Sequence, residues 1–114
     1  MFSMMGTGHQ GYFNQDLSGW DVSSGTDFSN MFWGQYLFNS DLSIWDVSSG
    51  TNFNGMFNRA TNFNQDISSW DVGKSNSFEY TFSNTSVFNQ DISSWDVSSS
   101  THFNSMFSNA AAFN

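Results

Sequence analysis

The chain contains no cysteine, and only two of its 114 residues are lysine or arginine. The missing thiols exclude disulfides, thiolate metal sites and cysteine nucleophiles, though they leave the compartment open. Charge of either sign is scarce at 11%, yet ten acids against two bases leave a formal net charge of -8. That balance argues against nucleic acid and anionic membrane surfaces as partners. No apolar run approaches the roughly 20 residues that cross a bilayer, so direct membrane insertion is not expected. Residues 1–10 lack the basic start and hydrophobic segment of a secretion signal. The expectation is therefore a cytosolic chain or a piece of a processed one.

What is present is repetition. Phe13-Asn14, Phe38-Asn39, Phe63-Asn64, Phe88-Asn89 and Phe113-Asn114 recur every 25 residues. Four of the five Trp form a second column, Trp20, Trp45, Trp70 and Trp95, and 13 of the 14 Phe fall into three columns. A fixed period of this length is the mark of a repeat solenoid, in which each unit buries its apolar face only against its neighbours. The expected organisation is an irregular N-terminal segment or partial repeat over 1–12, then four full repeats at 13–37, 38–62, 63–87 and 88–112, with the start of a fifth. One repeat by itself should not fold.

Within each unit Leu17, Trp20 and Val22 follow an L-x-x-L-x-L spacing, repeated as Leu42/Trp45/Val47, Ile67/Trp70/Val72 and Ile92/Trp95/Val97. Trp20 and Val22 alternate around Asp21 with period two, which predicts a short strand over 19–23 and its equivalents, stacked in parallel about 4.8 Å apart. The Ser-Ser-Gly-Thr stretch after Val22 and Val47 reads as a turn. Phe28, Met31 and Phe32 stand three and four apart, which predicts a single helical or 3₁₀ turn on the back of each coil. The Trp-Asp pair also suggests a β-propeller, but a blade takes about 40–45 residues and the period rejects it.

The decapeptides Phe63-Asn64-Gln65-Asp66-Ile67-Ser68-Ser69-Trp70-Asp71-Val72 and Phe88-Asn89-Gln90-Asp91-Ile92-Ser93-Ser94-Trp95-Asp96-Val97, closed by Met56-Phe57 and Met106-Phe107 in their units, carry a resemblance. The chain resembles the BspA-like leucine-rich-repeat surface proteins, in the 25-residue variety found in mycoplasmas and marine microalgae. The resemblance runs from Tyr12 to Asn114. It implies a right-handed leucine-rich-repeat solenoid with a cell-surface, adhesive role and no catalysis. Gly25, Gly50, Ser75 and Ser100 depart from the small apolar residue expected there, which suggests a looser turn after the strand.

Eight of the ten acids lie in two columns, Asp16/Asp41/Asp66/Asp91 and Asp21/Asp46/Asp71/Asp96. The first reads as side chains accepting backbone N–H groups of the following turn. The second reads as an outward, solvated ladder or as a ligand or cation strip, with Ca²⁺ the candidate ion. The Asn column at Asn14, Asn39, Asn64, Asn89 and Asn114 reads as a structural ladder between coils. Trp33 and Tyr36 stand in a linker that other coils fill with small polar residues, which marks them as a partner contact or as packing against the N-terminal segment. His9 and His102 are isolated, so neither a metal site nor a catalytic dyad is expected, and no cofactor is implied. One glycosylation sequon, Asn84-Thr85-Ser86, is of the kind that arises by chance in such sequence.

The leading expectation is a non-catalytic protein-interaction module, an adhesion or recognition array at the cell surface with a protein partner. The alternative is an accessory or linker subunit of a larger complex, intracellular or organellar. The uncapped ends suggest a longer parent chain or edges covered by a partner. Ice binding through regular Ser/Thr rows is a third class, weakened by the Asp and Gly that interrupt those rows.

Overall fold

The computed structural model describes residues 11–114; His9 and most of the N-terminal segment expected over 1–12 lie outside the described residues. The chain winds through successive 25-residue coils, each laid on the one before. Their contact is set by the backbone of the second half of each coil. The amides of Phe28, Asn30, Phe32 and Gly34 donate to the carbonyls of Asn52, Asn54, Met56 and Asn58 at 2.8 Å. The same pattern carries Phe53, Gly55, Phe57 and Arg59 onto the third coil, and Phe78, Tyr80, Phe82 and Asn84 onto the fourth. The intervening amides turn inward on their own coil, as when Met31, Trp33 and Gln35 donate to Phe28, Asn30 and Phe32. Alternate N–H groups thus serve the stack and the turn, and few are left over.

This arrangement corrects the helical or 3₁₀ turn expected over Phe28–Phe32, and no helix of either kind occurs among the described residues. Each coil instead makes two type II turns, opened by the two Phe and carrying positive φ at the third residue. Asn30 and Gly34, Gly55 and Arg59, Tyr80 and Asn84, and Ser105 and Asn109 hold these positions. A left-handed residue interrupts any right-handed helix, yet in a double turn residues three and four apart still share a face, so Phe28, Met31 and Phe32 are all buried.

The strand expected over 19–23 is likewise replaced. Trp20 N closes a turn on Leu17 O and Ser23 N bonds to Asp21 Oδ1, so these amides are spent within their own coil and cannot pair with a neighbour. The parallel bridges fall elsewhere, along Asp27, Asn52, Ser77 and His102 and between Gly11 and Gln35. The inward-outward alternation is present nonetheless: Trp45, Val47, Trp70 and Val72 are buried while Asp46 and Asp71 are exposed. Across this half of the coil side chains join the stack. The indole Nε1 of Trp45, Trp70 and Trp95 donates at 3.0 Å to the carbonyl of Leu17, Leu42 and Ile67 in the preceding coil.

The turn after Val22 is closed, contrary to the looser form expected. Gly25, Gly50, Ser75 and Ser100 each donate to the Val three residues earlier at 2.8–3.0 Å. A Cβ at Gly50 would meet the Phe53 ring, so the glycine permits close approach there. Where serine stands instead it is buried, and its hydroxyl bonds to Ser77 O from Ser75 or to Ser75 O from Ser100.

The core between these halves is a set of aromatic stacks. Phe38, Phe63, Phe88 and Phe113 follow one another at 5.9 Å between ring centres, and Phe32, Phe57 and Phe82 at 5.7 Å. The two stacks touch where one coil runs into the next, at 4.0 Å for Phe32 with Phe38 and for Phe57 with Phe63. Offset stacking of this kind adds favourable ring contacts to the burial of apolar area. At the corner, Asn39, Asn64, Asn89 and Asn114 each donate a backbone amide to the side-chain oxygen of the Asn one coil back, at 2.9–3.1 Å.

Candidate functional site

The column of Asp21, Asp46, Asp71 and Asp96 lies on the exposed side of its segment. Each carboxylate folds back on its own chain. Asp21, Asp46 and Asp96 accept both the amide (3.0 Å) and the hydroxyl (2.6 Å) of the serine two residues on. Those serine hydroxyls, and then the amides, hold the three carboxyls below the ordinary carboxylate range, because they stabilise the charged form. For Asp46 the neighbouring Asp21 opposes this and Lys74 assists it. Asp71 has Gly73 as its partner and accepts only the amide, at 3.0 Å. The other column behaves alike, with Asp16 and Asp41 accepting the amides of Ser18 and Ser43. Among the described residues no three His, Cys, Asp or Glu side chains converge as a metal site would require. His102 lies beside Thr101, its Nδ1 at 2.9 Å from the hydroxyl.

The second candidate, Trp33 with Tyr36, sits on the edge where the first coil passes to the next. Both rings are half-buried. Tyr36 meets Tyr12 edge-on at 6.3 Å, and its backbone pairs with Gly11. Trp33 carries the guanidinium of Arg59 over its ring, with Cζ 5.9 Å from the centre. Tyr36 packs on Tyr12, and Tyr12 itself is 73% exposed. Leu37, next to Tyr36, adds exposed apolar surface.

Sequence reasoning missed Tyr12 and Arg59 as members of this edge. A signal for Arg59 was present, and Tyr80 carries the same one. Arg59 and Tyr80 stand in columns whose other members are Asn, Gly or Ser, a bias that marks a left-handed position. The sequon is engaged in the stack, with Asn84 Oδ1 accepting Asn109 Nδ2 and Ser86 Oγ donating to Thr61 O.

A chain of stacked turns with an aromatic edge and serine-bound carboxylate columns defines a repeat protein first of all. Within that class it belongs to a protein family: the family described as "Mycoplasma protein of unknown function, DUF285" matches residues 1–114. No curated protein and no solved structure matches the chain. Among the described residues no helix is long and apolar enough to cross a membrane.

Proposed function

We propose that the chain is a non-catalytic protein-interaction module, a leucine-rich-repeat-like solenoid of the BspA-like kind that serves as an adhesion or recognition array at the cell surface. The observation that carries this reading is the edge formed by Tyr12, Trp33, Tyr36 and Leu37, where large side chains, three of them amphipathic aromatics, replace the small, mostly polar residues of later coils. Half-buried Trp and Tyr beside an Arg are the residue types that anchor protein contacts, because they remove much surface from water at little entropic cost. The carboxylates, by contrast, are occupied by their own turns. A Trp33→Ser/Tyr36→Ser double variant tests the edge. It should keep the parent's circular dichroism spectrum and lose the proteins that cross-link to the parent on the native cell. Undiminished cross-linking by the folded variant would place the contact elsewhere.

An accessory or linker subunit of a larger complex is the second reading. The half-buried Trp33 and Tyr36 would serve it equally, as the contact with a neighbouring subunit. Isolation of the native protein in a fixed-stoichiometry complex would select this alternative.

A further inference from the structure

Of the eight turn positions with positive φ, six are Asn, Gly or Ser, and the other two are Arg59 (φ 63°) and Tyr80 (φ 58°). A long or aromatic side chain is disfavoured in left-handed backbone, and such outliers gather where a side chain must be presented for a purpose. Arg59 has a second peculiarity. In a chain with ten acids and two bases, its guanidinium makes no ion pair or hydrogen bond with any described residue and lies over Trp33 instead.

We propose that Arg59, steadied by Trp33, anchors a single carboxylate carried by an extended protein segment whose neighbouring side chains are apolar. This deepens the interaction-module reading and rests on it. A guanidinium held against an aromatic face keeps the edge of its planar fork free, and that fork matches a carboxylate through two parallel N–H···O bonds. The surroundings specify the rest of the segment. Trp33 lies against the guanidinium, and on the same segment Tyr36 meets Tyr12, which is 73% exposed, so the anchor shares its edge with aromatic surface rather than with further cations. The net charge of -8 repels polyanions, which removes nucleic acid and anionic bilayers, and it also opposes a second copy of the chain. Among acidic ligands, an isolated carboxylate in an otherwise uncharged segment meets the least of that repulsion and gains the most from Arg59.

The test is a titration of the ¹⁵N-labelled full chain, read at the Arg59 side-chain Nε–H and the Trp33 indole Nε1–H. The probes are N-acetyl-Leu-Asp-Phe-amide and its Asn counterpart, N-acetyl-Leu-Asn-Phe-amide. The Asp peptide should shift both signals saturably, and the Asn peptide should bind about tenfold more weakly because it forms no charge-assisted pair. Arg59→Asn should abolish the response and raise Tm, since Asn84 and Asn109 already hold the same turn position. Equal response to both peptides, no response, or a response that survives Arg59→Asn overturns the proposal. A lower Tm for Arg59→Asn also overturns it, because Arg59 would then be there for stability. Shifts that grow with protein concentration alone would make the occupant a second copy, with the same consequence. If the Asp peptide fails while cross-linking on the native cell still depends on Trp33 and Tyr36, the carboxylate anchor falls and the interaction edge stands. If both fail, the edge reading falls with it.

Discussion

Asp46 condenses the residue-scale logic of the acidic columns. Its carboxylate lies one coil from Asp21, whose charge raises its pKa, and the Ser48 hydroxyl and amide outweigh that repulsion. Asp16, Asp21, Asp41, Asp66, Asp91 and Asp96 are held low for the same local reason. Each of these groups releases its proton more readily folded than unfolded. The stability they contribute is therefore fully present above the ordinary carboxylate pKa of about 3.9 and is lost as pH falls through the lowered folded values. Thermal unfolding followed by circular dichroism from pH 7 to pH 2 should show a Tm that begins to fall near pH 4. A Tm that rises through that window would mean that repulsion, not the serine bonds, governs the columns.

At the scale of the element, a pair of type II turns does the work expected of a helix. The turns bring Phe28, Met31 and Phe32 to one face, as a helical turn would, but they leave every second amide free to bond to the next coil. That freedom depends on residues that accept positive φ. Gly55 is the sharpest case, with φ 62° and the Asn30 side chain where its Cβ would be. Gly55→Ala should cost about 1–2 kcal/mol and lower Tm, whereas Gly19→Ala, with open space around it, should change little. Equal effects of the two changes in a denaturant titration would show that the left-handed turn is not a stabilising constraint. The same turns explain coil-specific polar burial. Thr81 and Thr85 in the third coil stand where Met56 and Ala60 stand in the second, and each sends its hydroxyl to a Phe carbonyl of the preceding coil.

The whole molecule is organised by one operation, a step of one coil. The bonds between coils join residues about 25 apart, from the Asn corner to the Trp indoles that reach 28 residues back. The stack therefore has no centre, and stability accumulates by neighbouring interfaces. Deleting residues 63–87, one full coil, should yield a shorter chain with the same circular dichroism shape, cooperative unfolding and a lower Tm. Deleting only residues 63–74 should prevent folding, because every aromatic and Asn column beyond the cut falls out of register. A folded half-coil deletion would contradict stacking in register.

Phe, Trp, Asn and Asp at fixed places in a 25-residue period were enough, by themselves, to show which residues face inward, where the corner lies and which carboxylates stand in columns. Periodicity carries that information because a buried column and a turn residue are each selected by local geometry. Which backbone segment pairs with its neighbour was decided only in the tertiary structure. The alternation of Trp20 and Val22 suits a strand, but the bonds that Trp20 N donates to Leu17 O and Ser23 N to Asp21 Oδ1 spend amides that a strand would need. The apolar spacing of Phe28, Met31 and Phe32 likewise fits both a helix and a double turn, and the sign of φ at Asn30 distinguishes them. The placement of Arg59 over Trp33 joins residues 26 apart on different coils. Their meeting depends on the advance from one coil to the next and on the direction each turn gives its side chain, quantities that exist only once the coils are stacked.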